Sequence, residues 1–232
     1  MRILAVETAT PQGSIALAGE SGVLAEIRSE EGMTHARWLM PAIDRLFHMT
    51  GLSLEEIDGL AVSAGPGSFT GLRIGLSTVK GLALGAGKPV VSIPTLDVLA
   101  RAVPPCRRLV CPILDARKGE LYAALYGPSE GGRLSRRTPD MVLPPDRLAE
   151  RIDQPVLFVG NGIEPYRAVL SGRLGRGALF ASGRFRHPRA DIVAQLALSR
   201  LARGRPDVLE TLEPLYVRSS EAELKKRGGG LS

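Results

Sequence analysis

The stretch SAGPGSFTGLRIG, Ser63 to Gly75, combines Gly65, Gly67, Gly71 and Gly75 with Pro66 and the hydroxyls of Ser68 and Thr70. A glycine-rich loop between an apolar run and a helix often cradles a phosphate, because bare backbone N–H groups and the helix N-terminus both attract anions. The spacing argues against the two standard forms. Gly65, Gly67 and Gly71 run G-x-G-x-x-x-G, one residue longer than the dinucleotide fingerprint, and no Gly-Lys-Ser/Thr follows to make a Walker loop. What remains is a helix N-terminus at Ser68 to Thr70, whose unsatisfied N–H groups are a weak anion signal by themselves.

Other chemistry is sparse. His35, His48 and His187 fall in neither HExxH nor HxxxH spacing, so a helical metal site is not supported. A G-x-S-x-G nucleophile elbow is absent. Cys106 and Cys111 match no common zinc or redox pattern and suit a reducing cytoplasm. Glu7 and Asp115, each at the end of an apolar run, are the carboxylates best placed to face an interdomain cleft. They suit the orienting of magnesium-bound phosphates, and equally the capping of a nearby turn.

The helix beyond the glycine loop says more. At 3.6 residues per turn, Gly71, Gly75, Thr78, Gly81 and Gly85 share an arc of about 120°. Leu72, Leu76, Val79 and Ala83 form an adjacent apolar face. Each interior glycine costs roughly 1 kcal/mol relative to alanine, so the bare face implies close approach of another backbone, from this chain or from a partner. On the partner reading, Gly75→Leu leaves the monomer folded and blocks association.

These residues sit in an alternating pattern. ILAV and SIALA read as strands joined by a tight turn, with Glu26 to Arg28 extending a third. THARWLMPAIDRLFHMTG reads as a helix capped by Thr34, kinked near Pro41 and ended by Gly51. LSLEEIDG reads as a short helix with a Ser53/Glu56 capping box. GLAVSAG and PVVSIP are buried strands, each followed by a helix. The pattern then restarts. CRRLVCPILDA, ELYAALY and PVLFVG are strands, YGPSEGGRLSRRTPD a hairpin connector, and PPDRLAERI and PRADIVAQLALSRLARG helices. Alternating strands and helices imply an α/β fold, divided at the Pro-rich step Val103 to Pro105 into domains 1–103 and 104–232.

Charge divides the same way. Residues 1–103 carry 8 Lys+Arg against 10 Asp+Glu, and residues 104–232 carry 22 against 14. The basic second half permits nucleic-acid contact, although only 4% of residues are aromatic, which leaves little for base stacking. The start, MRILAVETAT, is too short in apolar residues for a signal-peptide core, and no run approaches the roughly 18 residues of a membrane span. The expectation is a soluble cytoplasmic protein with no membrane partner.

Together, ILAVETAT with GSIAL, MTHARWLMPAIDRLF, AGPGSFTGLRIGLSTVKGLALGAGKPVVSIPTLDVLA, DARKGELYAALY, VGNGIEPY and EPLYVRSSEAE span nearly the whole chain. In that order they resemble the TsaB (YeaZ) family, a subunit of the bacterial tRNA threonylcarbamoyladenosine synthase of the glycoprotease superfamily. The resemblance implies an actin-like (ASKHA) fold of two ribonuclease-H-like domains with mixed sheets. It also implies a non-catalytic activator of the TsaD transferase, joined by the ATPase TsaE and reaching tRNA through the complex. An exposed partner-binding helix face also favours self-association, so a homodimer is the expectation for the chain alone.

In TsaD-like proteins an HxxxH metal motif follows the Lys-Pro step; here Thr95 and Leu99 stand in its place. The resemblance therefore implies no catalytic residues, no metal and no cofactor of the chain's own, with room for a nucleotide at the partner interface. Association through the N-terminal-domain helices carries over to Trp38, Leu39, Ile43 and Phe47 on one helix and Gly71, Leu72, Gly75, Leu76 and Val79 on the other. Trp38, the only tryptophan, suits an interface anchor and core packing equally. Gly160, Asn161 and Gly162 stand where actin-like relatives carry an adenosine-side loop, or form a plain strand-to-helix turn. With Glu7 and Asp115 they are the candidate nucleotide or phosphate contacts. Arg117 and Lys118 are candidates for phosphate or tRNA contact in the complex, and Lys225 to Arg227 read as a solvated tail. An actin-like ATPase or sugar kinase is the alternative function, and a metallopeptidase a third.

Overall fold

The computed structural model describes residues 1–129 and 133–217. Three residues of the YGPSEGGRLSRRTPD connector, the end of EPLYVRSSEAE and the Lys225–Arg227 tail lie outside the described residues.

Strands β1 (Arg2–Glu7), β2 (Ser14–Gly19), β3 (Gly22–Arg28), β4 (Gly59–Gly65) and β5 (Val90–Pro94) form one sheet in the order β3-β2-β1-β4-β5. β2 runs antiparallel to β1 and β3, while β1, β4 and β5 are parallel. ILAV reads as an unbroken apolar run because both faces of β1 are covered. Leu4 and Val6 join a core with Leu39, Leu46, Leu76 and Val79 of helices α1 (His35–Thr50) and α2 (Phe69–Ala86). Ile3 and Ala5 join a second core on the opposite face, the period of two expected of a strand.

That second core is closed by helix α6 (Ala190–Leu201) through Ala190, Val193, Ala194 and Ala197, packed on Ala5, Ala16, Ala18 and Ala61. Alanine against alanine lets the helix lie close to the sheet. A Cβ built on Gly59 would stand 2.7 Å from Leu201 Cδ1.

β6 (Leu109–Arg117), β7 (Glu120–Ala123), β10 (Met141–Leu143), β11 (Val156–Val159) and β12 (Ala178–Phe180) follow the same plan, in the order β10-β7-β6-β11-β12. Again the second strand is antiparallel to its neighbours and the others parallel. Helices α4 (Pro145–Ala149) and α5 (Ile163–Leu174) take the positions of α1 and α2. One plan is used twice with no detectable sequence repeat. Added to it is a short hairpin, β8 (Tyr126–Pro128) with β9 (Leu134–Arg136), attached to β6.

The chain crosses between the units at its helices. α3 (Thr95–Ala102) sends Leu96 and Leu99 into a core with Val110, Leu114 and Val159 of the second sheet, and Val98 into the core shared with α6. α6 follows the last strand of the second sheet yet packs on the first. A division at residue 103 therefore separates the two sets of strands but assigns α6 to the wrong sheet. The apolar pattern of α6 announces burial without naming the surface that buries it.

Two local expectations change, and the end of α1 falls where expected. LSLEEIDG forms a turn rather than a helix: the Ser53 N–H donates to Glu56 Oε2 at 2.9 Å, but the chain enters β4 at once and no second helical turn follows. ELYAALY breaks after Ala123, and the connector supplies β8 and β9 rather than a bare loop. α1 continues through Pro41 to its end at Gly51, φ 66°.

Candidate functional site

The two sheets bring their strand ends together around a cleft of about 580 Å³. On one side lies the Thr8–Gly13 turn; on the other are the ends of β6 and α5. Residues of both units line it, among them Thr10, Ser68, Asp115, Arg117, Asn161 and Glu164.

The glycine loop forms one wall and is closed by the chain itself. The Ser68 N–H donates to Ala9 O at 2.7 Å, and the Ser68 hydroxyl accepts the Gly71 N–H at 3.3 Å. Two of the loop's N–H groups are thus bonded within the chain. A Cβ on Gly67 would meet Ala9 O at 2.4 Å, and one on Gly71 would meet Thr8 O at 2.0 Å. The phosphate-cradle reading fails because residues 8 and 9 occupy the cradle. On the far side Leu215 N–H donates to Ala64 O at 2.7 Å, fastening the C-terminal segment to the same loop.

Glu7 is wholly buried beneath this loop. Its carboxylate accepts the Ala9 N–H at 2.6 Å and the Ser63 hydroxyl, joining β1, its following turn and β4. Burial raises its pKa to about 7, against the lowering effect of those hydrogen bonds. It does not line the cleft, which is the first correction to the expected contacts. Asp115 does line it: Oδ1 accepts the Arg117 N–H at 2.9 Å and the Tyr166 hydroxyl at 3.1 Å. Both carboxylates thus brace turns.

Asn161 lines the cleft, and its side-chain oxygen accepts the Asp115 N–H at 3.2 Å. Gly160 and Gly162 serve packing. Gly160 has φ 106° and sits so close to β6 that an added Cβ would lie 2.1 Å from Ile113 O, while the Gly162 N–H donates to that same oxygen at 3.1 Å. Arg117 and Lys118 both take positive φ in the β6–β7 turn, and Arg117 faces the cleft.

Arg186 spans the opening. Its Nη2 donates to Glu31, ahead of α1, at 3.1 Å and to Glu164, at the start of α5, at 2.5 Å. Beside it His187 Nδ1 lies 3.1 Å from Thr10 Oγ1, and burial lowers the pKa of that imidazole. Among the described residues no group of His, Cys, Asp and Glu is arranged to hold a metal ion. No helix among them is long and apolar enough to cross a membrane.

The α1/α2 pair departs from expectation more sharply. Leu39, Ile43, Leu72, Leu76 and Val79 are buried within the monomer. Gly71 and Gly75 are buried against Thr8, and a Cβ on Gly75 would lie 2.2 Å from Thr8 Oγ1. Trp38 and Phe47 are half-buried against the same core. The surface these helices offer outward is a different set: Met33 ahead of α1, Met40 and Met49 on it, and Leu84, Gly81 and Gly85 on α2. Leu84 is 77% exposed, and a Cβ at either outer glycine would meet nothing within 4 Å. The sequence signal for this surface was Leu84 standing between two glycines.

Thr95 and Leu99 are fully buried on α3, Leu99 packed in the core with Val110 and Leu114.

Residues 14–226 match the family model of TsaD, tRNA N6-adenosine threonylcarbamoyltransferase. The chain is 34% identical to the tRNA threonylcarbamoyladenosine biosynthesis protein TsaB of Escherichia coli (strain K12), over 98% of its own length and 99% of that protein's. It superposes on the solved structure of YeaZ from Pseudomonas aeruginosa with a TM-score of 0.79 and 29% identity, covering 93% of this chain and 99% of that one. The (R)-2-hydroxyglutaryl-CoA dehydratase component A of Acidaminococcus fermentans shares the fold alone, at TM-score 0.53 and 11% identity, over 87% of this chain and 99% of that one. The architecture is the actin-like α/β fold expected from the sequence.

Proposed function

The chain belongs to the TsaB family, and on that premise we propose that it is a non-catalytic subunit of tRNA threonylcarbamoyladenosine synthesis, binding and activating TsaD. The observation that carries this reading is the outward face of α1 and α2. On α2 Leu84 is exposed between Gly81 and Gly85, which have open space above them, and on α1 Met40 and Met49 are exposed on two sides of the helix. Exposed apolar side chains on adjoining helices favour a protein partner, and glycine lets a partner helix approach closely.

The non-catalytic part rests on α3. Where the family resemblance sets metal-binding histidines in TsaD-like proteins, this chain has Thr95 and Leu99, and Leu99 is spent on packing against the second sheet. A leucine offers no lone pair to a metal. The cleft supports the same reading: Ala9 packs against its glycine loop, Asp115 braces a turn, and Glu31 and Glu164 are paired with Arg186. In this proposal tRNA is modified by the assembled complex in the cytoplasm, with TsaE joining as its ATPase. The same helix face pairs two copies when TsaD is absent, and any nucleotide is held at the subunit interface.

The test is a Met40→Asp/Leu84→Asp double variant. Both side chains point to solvent, so the monomer should melt within a few degrees of wild type. Co-purification with TsaD, and tRNA modification reconstituted with TsaD, TsaE and threonylcarbamoyl-adenylate, should both be lost. Undiminished association overturns the assigned face. Modification proceeding equally well without this chain overturns the reading itself, and ATP turnover by the chain alone would favour an actin-like ATPase or kinase.

A further inference from the structure

We infer that the groove between α3, the β8–β9 hairpin and the end of α6 docks the phosphate backbone of an RNA. The groove measures about 560 Å³ and is lined in part by Asp97, Arg101, Arg133, Arg136 and Arg200.

Its charge is unbalanced in a specific way. Within 94–108, 133–136 and 196–207, which line the groove or lead away from it, the only acidic residues are Asp97 and Asp207. Both are committed. Asp97 Oδ1 accepts the Tyr126 hydroxyl at 2.5 Å and Arg136 Nη2 at 2.8 Å. Asp207 accepts Arg200 Nη2 at 2.6 Å, together with the Ser92 N–H at 2.6 Å and hydroxyl at 2.7 Å. Arg101, Arg107, Arg108, Arg133, Arg203 and Arg205 are left exposed, and their guanidinium groups have no partner among the described residues.

Concentrated, unpaired guanidinium groups repel one another, and a polyanion relieves that repulsion. Each can make paired hydrogen bonds to a phosphate. The cleft between the two sheets differs: there Arg186 is already bound to Glu31 and Glu164.

Readout in the groove is of backbone rather than bases. Its aromatic side chain, Tyr126, has its hydroxyl held by Asp97 and Arg136 5.1 Å over its ring, so no stacking platform is free. The groove also lies by α6, on the face of the first sheet opposite α1 and α2. A subunit seated on the helix pair leaves it open. The choice of RNA over other polyanions rests on the proposed role in tRNA modification.

The experiment uses the full chain alone with an unmodified tRNA transcript, measuring affinity by filter binding from 50 to 200 mM salt. Wild type should bind, with affinity falling steeply as salt rises. The variant Arg101→Gln/Arg133→Gln/Arg205→Gln should bind at least about tenfold more weakly, with a shallower salt slope, since each lost phosphate contact removes about 0.7 to 0.9 from that slope. A control, Arg151→Gln/Arg173→Gln/Arg176→Gln, removes the same charge from exposed positions on and around α4 and α5 and should stay near wild type. Absence of wild-type binding, an unchanged groove variant, or equal losses in the control overturns the inference. So does competition by poly-L-glutamate as strong, per charge, as by RNA, which assigns the groove to an acidic protein segment. Co-purification with TsaD is read on the same variants: RNA binding lost with TsaD retained supports the groove, and TsaD association lost from wild type overturns the functional reading separately.

Discussion

α2 carries glycines at four-residue spacing in both its halves, and the halves use them for opposite purposes. At its N-terminal end Gly71 and Gly75 are buried, with Thr8 so close that added Cβ atoms would lie 2.0 and 2.2 Å from its oxygens. Thr8 Oγ1 donates to Gly71 O at 2.8 Å, a bond available only because nothing stands between them. At the C-terminal end Gly81 and Gly85 face open space, with Leu84 exposed between them. The inner pair recovers its helix-propensity cost inside the monomer, through the bonds that shut the loop. Among the described residues the outer pair makes no such contact, and on the proposed function a partner's approach is what would compensate it.

The inner half gives the largest expected effect. Gly75→Leu should prevent folding, because its Cβ meets a side chain that is itself fixed by a hydrogen bond to the helix. Circular dichroism and soluble yield check this, and a folded Gly75→Leu protein would show that Thr8 yields and that the two halves are alike. On the sequence pattern alone this substitution was expected to spare the fold and block a partner; the position of Thr8 reverses that.

Glu7 holds the turn that seals the inner half, and its charge gives the next effect. Its folded pKa, about 7, stands above the ordinary carboxylate value, so the folded chain binds the proton more tightly than the unfolded chain does. This group's contribution is therefore fully present below the unfolded pKa, near 4.5, and is lost as pH rises toward 7. The expected slope is about 1.4 kcal/mol per pH unit across that window, or roughly 3 kcal/mol in all. Glu7→Gln keeps an acceptor for Ala9 and a partner for Ser63 but cannot ionise. Denaturant melts from pH 4.5 to 8 should show the wild-type decline flattened in the variant. An identical decline in both would place the titrating group elsewhere.

What the sequence made legible follows the same line. Strands buried on both faces announced themselves as apolar runs, and the motifs in order pointed to the family. The glycine periodicity implied close approach along the whole helix, which Gly71 and Gly75 make and Gly81 and Gly85 do not make among the described residues; a periodicity is a property of one helix, and the approaching group belongs to another segment. Thr8 is 63 residues from Gly71, and no local pattern links them. The placement of α6 was illegible for a related reason: its apolar positions fit either sheet, and only the size match of Ala190, Ala194 and Ala197 to the alanines of β1, β2 and β4 selects the first. Asp115 and Asn161 line the cleft because strand ends gather there in such folds, whereas the burial of Glu7 depended on the turn that folds over it.

The outer half supplies the smallest effect and the sharpest test of the contrast. Gly81→Ala adds a methyl group where nothing lies within 4 Å, so the monomer should gain the propensity difference, up to about 1 kcal/mol. That raises the melting temperature by about 2 to 4 °C for a chain of this size. Gly71→Ala, the same chemical change ten residues earlier, should move it the other way, since its methyl group meets Thr8 O. If Gly81 is kept for a partner's approach, the stabilised Gly81→Ala monomer should bind TsaD more weakly, and Gly81→Leu more weakly still. A variant that gains stability and loses no affinity would mean that the outer glycines answer to no close contact, leaving Leu84 and the methionines of α1 to define the face.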